Sequence, residues 1–133
     1  MGIPSRAPNR YTSSKQLIAG SDFNSLNDEL NSFQTLTPTG ATQAAAAPIN
    51  AANVELLTAA GAGVVLPISY PGAFCNILNN SGNTQNIYPN GTDQVQNNTT
   101  TYAGASTAVT LASGASATYF CIKTGFWQRA ATA

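Results

Sequence analysis

Residues that could perform acid–base or metal chemistry are few in this chain of 133 residues, which contains no histidine. Its acidic side chains are Asp22, Asp28, Glu29, Glu55 and Asp93. Histidine is the most frequent general base at neutral pH, and a zinc site needs about four ligands. Glu55 and Asp93 could form a glycosidase pair only if the fold brought them together, and their spacing does not indicate one. The sequence therefore predicts no catalytic residue, no metal site and no cofactor, and hence not an enzyme.

The two cysteines, Cys75 and Cys121, each lie in an apolar run typical of a β-strand. They could form a disulfide if their strands were neighbours. The N-terminal residues contain no apolar core of a secretory signal, however, so an oxidising compartment is not indicated. Two buried thiols that behave as small apolar side chains are therefore favoured over a disulfide.

Charge is scarce and balanced, since charged residues make up 8% of the chain and the formal net charge is +0. The basic residues are scattered toward the two ends rather than clustered, which argues against nucleic-acid binding. No run of about 18 apolar residues is present, so no membrane span is predicted. A surface without charge fits a protein that is packed permanently in an assembly.

The first 35 residues predict two contact elements. Residues 1–20 are typical of an extended arm, in which Arg6 and Arg10 could contact an acidic partner, although an ordinary polar arm is the simpler interpretation. Residues 21–35 predict a short amphipathic helix, because apolar side chains recur at spacings of three, four and three. This apolar stripe consists of Phe23, Leu26, Leu30 and Phe33. It would pack on its own domain, on a partner or on a second copy of the chain.

Residues 36–133 predict a β domain, because short apolar runs alternate with clusters of Gly, Pro and Asn. The runs are Val54–Ala60, Gly63–Ser69, Gly72–Asn80, Thr84–Pro89, Ser106–Ser113 and Ala117–Thr124, followed by a final strand around Trp127. The expected fold is mainly β, a β-sandwich or jelly roll with an extended N-terminal arm and one short α-helix. We interpret residues 36–53 as an extended segment or edge strand, and residues 93–106 as a polar connection.

Two features of the β domain bear on binding. The stretch from Cys75 to Val95 predicts a hairpin that turns at residues 80–83, with asparagines replacing charge at the surface. Most aromatic side chains are expected in the core. Tyr88, Tyr102 and Trp127 form the alternative, a platform on which a sugar could stack.

Several short motifs follow one another along the predicted β domain: Asn79–Gly82, Ile87–Gly91, Leu111–Phe120 and Gly125–Trp127. Their order resembles that in small β-rich structural proteins of tailed-bacteriophage virions, and the resemblance extends over roughly residues 20–128. It rests on turn residues and spacing rather than on a catalytic signature.

This resemblance implies a capsid decoration (cement) protein, assembled in the host cytoplasm and located on the outer capsid surface of the virion. Its partners would be the major capsid protein and itself, as a homotrimer or homodimer, with no nucleic acid and no membrane. The alternative that the resemblance implies is a tail-fibre or head-fibre module that binds a host surface glycan.

Overall fold

The computed structural model describes residue 28 and residues 31–58, 62–96 and 102–130. The chain divides into two compact units, Met1–Asn31 and Ser32–Ala133. The predicted arm and the residues Arg6, Arg10, Phe23, Leu26 and Leu30 lie outside the described residues. The architecture below is therefore that of the second unit.

The described part of this unit contains ten strands and one short 3₁₀ helix, Gln43–Ala45. The strands are β1 (Phe33–Leu36), β2 (Ala47–Pro48), β3 (Asn53–Leu56), β4 (Gly63–Val65), β5 (Phe74–Asn79), β6 (Gln85–Tyr88), β7 (Gln94–Val95), β8 (Val109–Leu111), β9 (Ser116–Lys123) and β10 (Phe126–Arg129). They form a six-stranded sheet of order β1-β3-β5-β9-β10-β7 and a four-stranded sheet of order β2-β4-β6-β8.

The chain passes from one sheet to the other with every strand from β1 to β9. In the six-stranded sheet β1, β3 and β5 are parallel neighbours, with Phe33 opposite Asn53 and Asn53 opposite Asn76. In the four-stranded sheet β2, β4 and β6 are likewise parallel. After roughly 20 residues, the chain therefore returns to the same sheet and forms a strand parallel to the previous one. This is the path of a short solenoid. Antiparallel pairs follow where β8 and β9 join the sheets.

The core forms because side chains alternate between the two faces of each strand. Cys75 and Ile77 on β5 are buried, as are Ala117 and Tyr119 on β9, while the residues between them face outward. The buried side chains of both sheets belong to one hydrophobic cluster, in which Trp127 is fully enclosed.

These observations confirm the mainly β class, and every predicted apolar run overlaps a strand. The β-sandwich or jelly-roll arrangement stays a prediction. The hairpin interpretation of Cys75–Val95 is wrong, because β5 and β6 belong to different sheets. The segment between them connects the two sheets, and the backbone N–H of Asn80 donates to the carbonyl of Leu56 rather than to an opposing hairpin strand.

The predicted helix over residues 21–35 does not extend to its proposed end. Asp28 is helical, whereas Phe33–Leu36 forms β1. The residues of β1 alternate between exposed and half-buried side chains, which is a period of two rather than of 3.6. Phe33 is consequently a strand residue, and its side chain is 65% exposed.

The two cysteines are free thiols, and both are buried. Cys75 lies opposite Tyr119 across the antiparallel β5–β9 pair, so Cys121 is its diagonal neighbour. Diagonal positions in such a pair lie about 7–8 Å apart, beyond the usual Cα separation of a disulfide. Burial raises the pKa of the Cys75 thiol to about 12, which keeps it protonated and unreactive at neutral pH.

Candidate binding surfaces

Two of the three aromatic residues proposed for a sugar platform are used in packing. The ring of Tyr88 lies so close to Gly63 that a Cβ there would be 2.8 Å from Tyr88 Cε2, and its hydroxyl donates to the Ala41 carbonyl at 2.7 Å. Trp127 is 0% exposed, and its Nε1 has no hydrogen-bond partner among the described residues. Trp127 therefore presents no ring face to solvent.

Tyr102, the third of these residues, lines a small groove of about 230 Å³. The other lining residues are Ile122, Lys123, Phe126 and Gln128. The rings of Tyr102 and Phe126 meet edge to face with centroids 5.2 Å apart, and Lys123 Nζ lies 4.3 Å from the Phe126 ring centroid. Phe126 already has two partners, so little of its ring is left for a ligand.

Three exposed apolar side chains lie on two hydrogen-bonded segments near the turn from β9 to β10, where the Gly72 N–H donates to the Cys121 carbonyl. Ile68 is 72% exposed, Tyr70 is 55% exposed and Ile122 is 68% exposed. The loop with Ile68 and Tyr70 is tied to this end by Ser69 Oγ, which accepts a hydrogen bond from the Gly125 N–H at 2.8 Å. We call these three residues the turn patch. Exposed large apolar side chains on neighbouring segments can form a contact surface.

A row of hydrogen-bonded side chains crosses the outer face of the six-stranded sheet. Asn53 Nδ2 donates to the Ser32 carbonyl at 2.9 Å, and Asn76 Nδ2 donates to Asn53 Oδ1 at 2.9 Å. Thr118 Oγ1 then donates to Asn76 Oδ1 at 2.8 Å. These residues stand in register on β3, β5 and β9, because Asn53 is opposite Asn76 and Asn76 is opposite Thr118. We call this row the amide ladder.

The amide ladder lies in a groove of about 450 Å³, which we call the sheet groove. That volume falls within the range of about 300–1,000 Å³ found for ligand sites. Phe33 and Leu78 also line the groove, and both are exposed. The one charged residue in the described part of its lining is Glu55, whose Oε1 accepts a hydrogen bond from Asn80 Nδ2 at 3.4 Å.

The polar residues after β5 form a buried network rather than a surface. Asn79 and Gln85 are 0% exposed and Ser81 is 5% exposed. Ser81 Oγ donates to Asn79 Oδ1 at 2.6 Å and accepts from Gln85 Nε2 at 2.7 Å. Because these groups satisfy one another, they stabilise the connection between the two sheets and leave few polar atoms for a ligand.

Sequence reasoning missed the amide ladder, although a signal for it was present. Asn53 and Asn76 occupy outward positions on β3 and β5. These strands are parallel neighbours, and the two asparagines lie opposite each other. The predicted set of contact residues contained Phe33 alone among the residues of the sheet groove. Detecting the groove from sequence would have required the parallel pairing of β3 and β5.

Other classes of site find no support among the described residues. No group of three or more His, Cys, Asp or Glu side chains there could hold a metal ion. Glu55 lies on β3, whereas Asp93 precedes β7 at the far edge of the same sheet. Within the described part of the chain, no helix has the length and apolar character that a membrane span requires.

A scan against protein-family models finds no match for this chain, and searches of curated proteins and of solved structures find none either.

Proposed function

We propose that this chain is a structural protein of a tailed-bacteriophage virion, a decoration (cement) protein that binds between major capsid protein subunits. The observation that supports a protein partner is the turn patch, in which Ile68, Tyr70 and Ile122 are all more than half exposed. The virion setting is supported by the sequence motifs described above. No catalytic role is proposed.

The physical basis of this function is apolar burial rather than charge. Fully burying one large apolar side chain contributes about 1.5–3 kcal/mol, so three such side chains can anchor a modest interface. With only 8% charged residues, binding of this kind would depend little on salt. Self-association into a dimer or trimer would multiply weak contacts into avidity, and a ligand that binds only the assembled lattice stabilises that lattice.

The test is co-sedimentation of the purified protein with mature capsids that lack it, using substitutions in the turn patch. We expect Ile68→Asp and Ile122→Asp each to weaken capsid binding at least about 10-fold, because a carboxylate would have to be desolvated in the interface. Leu57→Asp is the matched control, since Leu57 is an exposed apolar residue of the β3 end, outside the patch. Wild-type protein that does not bind capsids would refute the decoration role.

The second candidate function is a tail-fibre or head-fibre module that binds host glycan through Tyr102. It is favoured by one observation, that Tyr102 lines a groove that Lys123 also lines. The same preparations distinguish the two functions. Binding to host cells that Tyr102→Ala abolishes, without binding to capsids, would favour the fibre module.

A further inference from the structure

We infer that the sheet groove is a binding site for a neutral oligosaccharide, recognised by the amide ladder and by the exposed ring of Phe33. This inference does not depend on the decoration role, because the sheet groove and the turn patch share no residue. It also places the sugar away from Tyr88, Tyr102 and Trp127.

The direction of the amide ladder follows from its first member. The Ser32 carbonyl can only accept, so Asn53 must point Nδ2 toward it and Oδ1 toward Asn76. Asn76 must then donate to Asn53, which leaves Asn76 Oδ1 to accept from Thr118. The two amides are therefore held in one orientation before any ligand arrives, which lowers the entropic cost of binding.

Hydrogen-bonding capacity remains along this row. Each amide nitrogen has two N–H groups and donates one of them within the ladder, so one donor of Asn53 and one of Asn76 are left for a ligand. The hydroxyl oxygen of Thr118 keeps acceptor capacity, and Ser116 adds a second exposed hydroxyl on β9. Adjacent strands lie about 4.8 Å apart, so the row presents polar groups at a step comparable with the width of one pyranose ring.

The apolar component of the groove has the complementary chemistry. A pyranose ring has polar hydroxyl edges and an apolar face of C–H groups, and that face stacks on an aromatic ring. Phe33 is 65% exposed and Leu78 is 41% exposed, so apolar surface stands beside the amides. Phe126 in the Tyr102 groove offers less, because Tyr102 and Lys123 already contact its ring.

The charge of the groove selects among sugars. Among the described residues, Glu55 is the only charged one that lines the groove, since the described basic side chains, Lys123 and Arg129, do not line it. A uronic or sialic acid would meet the Glu55 carboxylate without a compensating cation. A neutral sugar instead can donate a hydroxyl to Glu55 in a charge-assisted hydrogen bond. Nucleic acid is disfavoured for the same reason.

The experiment is an NMR titration of the ¹⁵N-labelled full chain with three hexasaccharides: cellohexaose, maltohexaose and, as the anionic probe, hexagalacturonate. At least one neutral probe is expected to shift the side-chain amide signals of Asn53 and Asn76. Because the groove is open, the expected Kd is about 1 mM. Hexagalacturonate is expected to bind at least about 10-fold more weakly. Because Phe33 is exposed, Phe33→Ala should keep the fold and reduce affinity for the neutral probe at least about 5-fold.

Leu57→Ala is the matched control, since it removes an exposed apolar side chain that does not line the sheet groove and should leave the affinity unchanged. The inference is overturned if neither neutral hexasaccharide shifts the Asn53 and Asn76 signals, if the anionic probe binds more tightly, or if Leu57→Ala reduces binding as much as Phe33→Ala does. Light scattering of the same samples checks for a second copy in the groove, and a dimer that Phe33→Ala dissociates would also overturn it. None of these results bears on capsid binding, which is tested through the turn patch.

Discussion

Replacing Asn79 by alanine should remove a large part of the stability of this protein, although asparagine is usually a surface residue. Its side-chain amide is fully buried and makes four hydrogen bonds. Nδ2 donates to the carbonyls of Asn83 and Leu111, both at 2.8 Å. Oδ1 accepts from the backbone N–H and the hydroxyl of Ser81, at 3.1 and 2.6 Å.

The expected loss of stability depends on which polar groups lose a hydrogen-bond partner in Asn79→Ala. The Ser81 hydroxyl, which donates to Asn79 Oδ1, can turn to Asn83 O at 3.0 Å, whereas Leu111 O and the Ser81 N–H lose the hydrogen bonds that Asn79 provides. Leaving a buried polar group unpaired costs about 1–3 kcal/mol. We therefore expect Asn79→Ala to lower the free energy of unfolding by about 2–4 kcal/mol, a large fraction of the total stability of a typical domain.

The assay is equilibrium unfolding in guanidinium chloride, followed by the fluorescence of the single tryptophan. Trp127 is buried in the core, so its emission reports loss of tertiary structure. Asn80→Ala is the matched control, because the neighbouring amide is exposed and makes one hydrogen bond of 3.4 Å to Glu55. Its expected cost is below about 0.5 kcal/mol. Equal losses for the two variants would refute the structural role of the buried network.

Two further predictions use the same assay. Burial holds the pKa of Cys75 at about 12 against an ordinary 9.0, and burial, the larger cause, also raises that of Tyr119 to about 12 from 10.0. The unfolded chain loses these protons first, so stability is complete below about pH 9 and falls toward pH 12 by up to about 1.4 kcal/mol per pH unit for each group. A Cys75→Ala variant with an unchanged slope between pH 9 and pH 10.5 would contradict this. Gly40→Ala should cost about 3 kcal/mol, because its φ is +63° and the new Cβ would collide with Ala45. Gly82→Ala, with a φ of +87° in open space, should cost only about 1–2 kcal/mol, and equal costs would exclude the collision.

Much of the strand content could be predicted from the sequence because it depends on local pattern. In β9, alternating Ala117, Tyr119 and Cys121 indicated a strand with one buried face, and that face is buried in the structure. β7 was missed, since Gln94–Val95 is too short to show a period and pairs only at a sheet edge. β1 was assigned to a helix, because its single aromatic residue, Phe33, continued the spacing of the preceding apolar residues.

The candidate sites were harder to predict, because exposure depends on what packs nearby. Trp127 and Tyr102 are both aromatic residues near polar side chains in the sequence, yet Trp127 is enclosed in the core and Tyr102 lines a groove. Asn79 and Asn80 are adjacent and chemically identical, but strand alternation buries the first and exposes the second.

The sequence by itself determined the class of this protein: mainly β, almost uncharged, without histidine, and with polar amides where other proteins use charge. These properties follow from residue types and their local period. Only the tertiary structure decided that successive passes of the chain lie parallel, so that Asn53, Asn76 and Thr118, far apart in sequence, form one row. The physical reason is that strand pairing is non-local. The register between β3, β5 and β9 depends on how both sheets bury their inner faces together, and no single segment contains that information.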